Sequence, residues 1–574
     1  MKALSFFGVL ILAHLAGILG RHIDVSLWTP LAFLWQDALV ALLFAVLDIC
    51  VKRARIVWLI YAVLVAYAAL NVPVTRVLST PLTLPMLRAA RGPLRDSIAY
   101  YFTPANLAAI AVVLASGVVF PFLLSRLKLQ SSGELSIAVV ISGVLLVAIG
   151  PFAQSKVDTV GMHRNAFGAL LPPRLPTVNG TPENSDWRAS PFPSAPYAED
   201  ISGYRGTAAG RNVVVILLES TAAQYLRLYG AAEDPTPNLT RLGSRSLVFE
   251  NAYAVYPESI RGLFSVLCSQ YPDFGAPPND YPAAPCVSVA EQLRHIGYST
   301  ALFHSGRFMY LGMQSVVENR GFETLEDAGA IGGNVNSSFG VDEPAAVERM
   351  LSWIDSIPSG KRFFLTYIPV AGHHPYSTPD PGPYPNTGDL SNYRNALHYG
   401  DAALGDLLAG LRDRRLDEQT MFVIFGDHGE AFGQHEANYG HSFFIYDENI
   451  RVPYIIAAPG LMQTQQRIRN SASLLDTAPT ILDLLGLPIP PRFRGASLLD
   501  DKPRMSLFFT DYSLGFLGLR DSCWKMIFET SSKRSKLFDV CADPQEEKDL
   551  SADNAARVSA YRDRLERWIT AQRK

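Results

Sequence analysis

Five long apolar stretches in the first 155 residues constrain this chain more than any other feature. They run Ala3–Gly20, Leu31–Val51, Ile56–Val72, Ala105–Leu124 and Leu135–Phe152. Each is close to the roughly 20 residues that cross a bilayer, and all lie in one block, which predicts a five-helix transmembrane domain over residues 1–155. The first has the length of a cleaved leader, but four further spans behind it favour an uncleaved anchor. An odd number of spans puts the two ends of the block on opposite sides. Lys2, the loop Lys52–Arg55 and the loop with Arg126 and Lys128 are then cytoplasmic, as the excess of positive charge on that side requires. Arg76, Arg88, Arg91 and Arg95 run against this tendency. They fall in the longer opposite loop, where they would meet anionic headgroups or simply be solvated. Asp37 and Asp48 lie in or near the second span, where a charge is costly; a functional role and a structural pairing are equally open for them. His14 is expected to be a packed or hydrogen-bonded residue of the first span.

At 574 residues the chain exceeds one hydrophobic core, so further domains are expected. A net charge of −3 gives no reason to expect nucleic acid as a partner. Residues 156–211 shift to Pro, Ser, Asn and Gly, with PPRLP, PENSDW and PFPSAP, which is linker chemistry. From 212 to 500 strand-like and helix-like segments alternate. That pattern predicts an α/β domain with a mostly parallel sheet covered by helices on both faces. Residues 501–574 read as a small sheet, Ser506–Thr510 and Trp524–Glu529, followed by an amphipathic helix over Ala555–Gln572. The five cysteines fall as Cys50 alone, Cys268 with Cys286, and Cys523 with Cys541. Two close-spaced pairs predict two local disulfides in an oxidising compartment, the alternative being four buried thiols.

The chemistry gathers at the ends of apolar runs. Met421–Phe425 breaks at a glycine and presents Asp427, His428 and Glu430. Val213–Leu218 ends on Glu219, Phe363–Val370 on His373 and His374, and Ser299–Phe303 on His304. Ligands of open α/β sheets bind beyond the carboxyl ends of the strands, so these residues are expected to share one edge. Their oxygen and imidazole donors suit Mn²⁺ or Zn²⁺. Ser259 stands before a stretch that reads as a helix start, where free backbone N–H groups favour an anion. Beside a cation its hydroxyl would be an activated nucleophile, with Arg261 as a bidentate clamp for phosphoryl oxygens. Taken alone, the same residues read rather as a helix cap and a surface arginine.

The segments NVVVILLES, TPNLTRL, SIRGLFSVLCSQYP, AGHHPYSTP, FGDHGEAFGQH, HSFFIYDENIRVPYIIAAPG and DTAPTILDLLGLP, in this order, resemble the sulfatase-like branch of the alkaline phosphatase superfamily. Within it the chain looks most like membrane phosphoglycerol and phosphoethanolamine transferases of the lipoteichoic acid synthase type, which pair five spans with an exported catalytic domain. The resemblance implies Glu219, Ser259, Asp427 and His428 as the metal set, for one divalent cation with a second left open, and Ser259 as the nucleophile in place of the usual threonine. It makes His373 and His441 proton donors or phosphate contacts, or ligands of that second cation, and Arg307 a headgroup contact. His374 and His435 are expected to support the site from outside it, and Cys268–Cys286 to restrain one side of the pocket.

The implied reaction moves a phospho-headgroup from a membrane phospholipid to a glycan, lipid or polymer acceptor through a covalent Ser259 adduct. The protein is then a multi-pass protein of the bacterial cell (inner) membrane, its catalytic domain periplasmic or extracellular. A membrane-anchored phosphoesterase or sulfuric ester hydrolase is the first alternative. Sulfatase chemistry is disfavoured because Arg261 and Leu263 stand where the formylglycine motif has proline and arginine. A transporter or scaffold with a binding domain is the non-enzymatic alternative.

Overall fold

The computed structural model describes residues 1–23, 25–89, 101–126, 133–173, 175–176, 186–193, 199–275, 281, 284–309, 312–334 and 340–572. Arg91, Arg95 and Lys128, like much of the stretch PENSDW–PFPSAP, lie outside the described residues. Among the described residues four helices are long and apolar enough to cross a membrane: Thr29–Cys50, Ala54–Leu78, Pro104–Arg126 and a fourth within Gly133–Lys156. The first apolar stretch forms a helix over Lys2–Ile18 of 17 residues. At a rise of about 1.5 Å per residue it reaches about 26 Å, short of a hydrocarbon core of about 30 Å. The expected five spans are therefore four by this measure, because the backbone turns extended at Leu19 and Gly20 takes φ +86°. The short helix still belongs to the bundle: Phe6, Val9 and Leu10 pack with Phe44, Val57, Tyr61 and Val65 in one buried cluster.

Both aspartates of the second helix are paired. Asp37 is buried, with His14 Nδ1 2.9 Å from its Oδ2 and the Asn165 amide donating to its Oδ1. Asp48 accepts from Lys2 Nζ at 2.5 Å. Of the two readings open from the sequence, the structure shows the pairing.

Residues 212–473 hold eight strands of one sheet: β1 Asn212–Leu218, β2 Leu247–Tyr253, β3 Ser299–His304, β4 Thr324–Glu326, β5 Phe363–Ile368, β6 Thr420–Gly426, β9 Arg451–Ala457 and β10 Gln466–Ser473. A two-stranded hairpin, β7 Ala431–Phe432 with β8 Tyr439–Gly440, lies between β6 and β9. The large sheet has the order β10-β2-β9-β6-β1-β5-β3-β4. Its neighbours run parallel except that β9 is antiparallel to β2 and β6. Side chains alternate between faces along a strand, so successive residues of β1 enter two different cores. Val213, Val215 and Leu217 join one cluster with the helices Ser259–Cys268, Val289–His295 and Thr477–Leu484, while Val214 and Ile216 join another with Glu343–Ser356 and Asp389–Asp413.

The C-terminal region forms a four-stranded antiparallel sheet, β11 Ser506–Thr510, β12 Phe516–Asp521, β13 Trp524–Glu529 and β14 Ser535–Asp539, with the helix Ala555–Ala571 packed on it. It shares a core with the segment that precedes Ser259: Val255 and Tyr256 pack among Leu507, Phe509 and Trp568. Phe509 N donates to Val255 O at 3.0 Å. The described part of 156–211 is held against this body, where buried Arg188 pairs with Asp476, Nη2 to Oδ2 at 2.7 Å.

Candidate metal centre and nucleophile

Register decides the first two ligands. β1 and β6 run parallel with Leu218 opposite Gly426, so Glu219 and Asp427 stand side by side one step beyond a matched pair. Asp427 Oδ1 accepts from Ser220 N at 2.9 Å and His428 N at 2.8 Å. Its other oxygen, Oδ2, is buried and has no hydrogen-bond partner among the described residues. His428 Nδ1 lies 2.9 Å from Gly429 O, and because a carbonyl only accepts, that nitrogen carries the hydrogen. Nε2 is thereby turned toward Glu219 Oε1 at 3.6 Å and Asp427 Oδ2 at 3.5 Å.

Ser259 opens the helix Ser259–Cys268, with Glu258 as its N-cap. The Ser259 hydroxyl is 3.0 Å from Glu219 Oε2 and 3.1 Å from His428 Nε2. Four side chains spread over 210 positions of sequence thus converge on one small volume. Its electrostatics fit a cation. Burial and then the neighbouring Asp427 push the Glu219 carboxyl up to about 8. Asp427 and Glu219 hold His428 above the ordinary imidazole value, although burial opposes them. Without a cation these groups must take up protons to coexist, and an orphaned buried carboxylate oxygen faces an imidazole lone pair. That donor set fits a divalent cation bound by Glu219, Asp427, His428 and Ser259.

A second cluster adjoins it. His441 Nδ1 lies 2.7 Å from Glu430 Oε2, and Glu430 Oε1 accepts from Tyr376 OH at 2.6 Å. The His441 and His428 rings are 4.3 Å apart, and the donor atoms of His428, Glu430 and His441 lie within 4.8 Å of one another. His373 follows, its ring 6.5 Å from that of His441 and its Nδ1 2.7 Å from His374 O. Burial lowers His373 to about 4.

Other residues singled out in the sequence sit elsewhere. Arg261 is buried and ion-paired with Asp511, its guanidinium 4.7 Å over the Tyr256 ring. Two residues along a helix turn a side chain by about 200°, which is why Arg261 points into the protein while Ser259 faces the cluster. Arg261 is therefore not the phosphoryl clamp expected from the sequence but an anchor of the helix that Ser259 opens. Arg307 lies beside Gly329, in the short helix Ala328–Ile331. His304 is buried, its Nδ1 2.9 Å from Ile368 O, and His435 pairs with Glu448 at 2.7 Å while stacking on Tyr446. Cys268 is bonded to Cys286 and Cys523 to Cys541, leaving Cys50 free. Sequence reasoning missed Asp511 and Tyr376. Asp511 follows the apolar strand β11 directly, the same strand-end signal that marked Glu219 and Asp427.

Residues 211–487 match the family described as Sulfatase, and residues 435–573 match the C-terminal region of N-sulphoglucosamine sulphohydrolase. The lipoteichoic acid synthase-like YvgJ of Bacillus subtilis (strain 168) is 25% identical over 362 residues, 60% of this chain and 57% of its own length. Arylsulfatase K of Canis lupus familiaris is 31% identical over 184 residues, 28% of this chain and 33% of its own length. The chain thus spans between a third and somewhat over half of the length of these curated relatives. A solved protein of the alkaline phosphatase superfamily from Vibrio parahaemolyticus aligns with a TM-score of 0.52 at 20% identity, covering 66% of this chain and 89% of that one. This last likeness speaks to the fold.

Proposed function

From a sulfatase-family domain at residues 211–487, on the alkaline phosphatase superfamily fold, we propose a membrane-anchored phosphotransferase that moves phosphoglycerol or phosphoethanolamine from a phospholipid to a glycan, lipid or polymer hydroxyl. The observation that supports this most is the Ser259 hydroxyl at 3.0 Å from Glu219 and 3.1 Å from His428. Only a residue meant to react or to bind a cation gains from such a position. The helix N-terminus beneath it favours the anionic phosphodiester.

When bound, Mn²⁺ or Zn²⁺ would polarise oxygen and offset the negative charge of phosphorus and ligands. The residues do the rest. Ser259 Oγ, passing its proton to a neighbouring acceptor, attacks phosphorus; the bond to the diacylglycerol oxygen breaks, and His441 supplies the proton that this alkoxide takes up, because His373, lowered by burial, keeps its one hydrogen on Nδ1 against His374 O. The phosphoserine is then attacked by the acceptor hydroxyl, whose proton returns to the imidazole; the bond from phosphorus to Ser259 Oγ breaks, and Ser259 takes back its proton from the neighbouring acceptor. Glu430 and Tyr376 orient His441, and the Arg261–Asp511 pair holds the helix of Ser259.

In this reading the short helix Lys2–Ile18 crosses together with the four longer ones, Lys2 meeting Asp48 beside Lys52–Arg55 on the cytoplasmic side, and the catalytic part lies outside the bacterial cell membrane, where its two disulfides persist. Hydrolysis of a phosphate or sulfate ester by the same residues is the competing reading, favoured by the arylsulfatase K likeness. Incubating the full chain with headgroup-labelled phosphatidylglycerol or phosphatidylethanolamine decides between them. Transfer yields diacylglycerol and a labelled peptide containing Ser259, with label passing to an added acceptor. Label passing only to water would instead make the protein a hydrolase.

A further inference from the structure

Three loops ring the candidate centre, and each is docked on the membrane-spanning bundle. On the loop after β5, His374 stacks on Tyr101, rings 5.7 Å apart and 7° from parallel, with Tyr101 OH 3.3 Å from His374 Nε2. Tyr101 lies just ahead of the span Pro104–Arg126. On the hairpin that leads to His441, Tyr439 lies under the Arg21 guanidinium at 5.4 Å and Glu436 pairs with Arg21 at 3.6 Å. Arg21 follows the helix Lys2–Ile18 and also donates to Arg76 O at 2.6 Å, beside the end of the span Ala54–Leu78. On the loop after β11, Ser513 meets Thr80 Oγ1 at 2.8 Å, two residues from the Asp511 that holds Arg261.

The burial of the site agrees with this orientation. Glu219, Asp427 and His428 are buried, whereas Ser259, His441, His373 and His374 are half-buried and form its open side. Rings lead from beside Ser259 toward the bundle: His428 to His441 at 4.3 Å, His441 to His373 at 6.5 Å, and, one residue on in sequence, His374 against Tyr101. In the segment that follows Arg21 the bundle exposes Val25, Leu27 and Trp28, and next to Tyr101 in sequence it exposes Phe102. Aromatic and apolar side chains at the end of a span sit at headgroup level.

We propose that a glycerophospholipid reaches Ser259 laterally, its acyl chains still in the outer leaflet, through the seam between bundle and catalytic part that Tyr101 and Arg21 hold in register. The proposal rests on the transferase reading and adds where the donor enters. A soluble ester reaches the same nucleophile from water and does not need the seam. A lipid does, because its headgroup can only be offered where the bilayer surface meets the pocket.

The test compares full-length protein in phosphatidylcholine vesicles containing phosphatidylglycerol, or phosphatidylethanolamine, with turnover of water-soluble bis(4-nitrophenyl) phosphate. In Tyr101→Ala and in Arg21→Ala, kcat/KM for the vesicle lipid should fall by about tenfold or more, as effective concentration at the site is lost. Turnover of the soluble ester should stay within about twofold of the parent protein. Tyr101→Phe, which keeps the stack, should restore lipid turnover. Equal losses on both substrates, or lipid turnover unchanged in both alanine variants, would overturn the seam. Unaltered protein that turns over the soluble ester and releases no diacylglycerol from either vesicle would instead remove the transferase reading, and the seam with it.

Discussion

Glu430 holds His441 by a 2.7 Å contact from Oε2 to Nδ1, which leaves the Nε2 of His441 as the nitrogen that can exchange a proton with a ligand. The carboxylate is fixed in turn by Tyr376. Glu430→Gln keeps the shape but removes the charge and makes the ring tautomer ambiguous. It should lower kcat by about 10–100-fold with KM little changed, the usual cost of removing an outer partner of a site imidazole. Steady-state kinetics on a soluble phosphodiester checks this, and a change confined to KM would assign Glu430 to substrate binding.

Ser259 stands where a threonine would fit chemically, since both present an aliphatic hydroxyl. Ser259→Thr should retain activity and accumulate the same covalent adduct, its β-branch restricting χ1. Ser259→Ala should abolish the adduct. Mass spectrometry of the peptide after quenching with acid distinguishes the two, and an adduct persisting in the alanine variant would place the nucleophile elsewhere.

Arg261 and Asp511 form a buried ion pair that joins the helix of Ser259 to the end of β11. Asp511 also accepts from Tyr256 OH at 2.8 Å. Removing one partner of such a pair leaves the other charge buried and costs about 3–5 kcal/mol. Arg261→Ala should therefore show a lower melting temperature together with lost activity. Substitution of both residues by apolar side chains of similar volume should recover stability without recovering activity.

Glu343 ties the ends of β3 and β5 together, accepting from Ser305 Oγ at 3.0 Å, Val370 N at 2.8 Å and Ala371 N at 2.9 Å. Burial pushes its carboxyl up to about 7 from an ordinary 4.5. The folded chain then binds this proton more tightly than the unfolded chain. Its contribution to stability is complete below pH 4.5 and is lost as pH rises through 7. Melting temperature in detergent should fall between pH 5 and 8 by more in the parent protein than in Glu343→Gln. Equal slopes would show that another group carries the dependence.

What the sequence made legible follows from physics that acts locally. Buried strands read as apolar runs, and their carboxyl ends marked Glu219, Asp427, His428 and the loop of His373, which the structure brings to one edge. β2 escaped notice because Glu250 and Asn251 interrupt it. The antiparallel course of β9 left no trace in its composition. Arg261 misled because a reactive hydroxyl two residues away suggested a common task, whereas helical geometry turned the two apart. The partners of Asp37, at positions 14 and 165, lie far from it in sequence, and no pattern along the chain connects them.

The buried Oδ2 of Asp427 has no hydrogen-bond partner among the described residues, and the Nε2 of His428 faces two carboxylates. Such a cluster is costly when it holds no cation. Stripping the protein with a chelator should therefore lower its melting temperature, and Mn²⁺ or Zn²⁺ should restore it, by about 2.7 kcal/mol at a hundredfold excess over Kd. Asp427→Asn separates this from a general effect of ions. The substitution removes one of two crowded negative charges, so the stripped variant should be at least as stable as the stripped parent, while its response to added cation should vanish. A variant that still gains stability from either cation would move the metal away from Glu219, Asp427 and His428, and leave the short contacts of Ser259 without the partner they are built around.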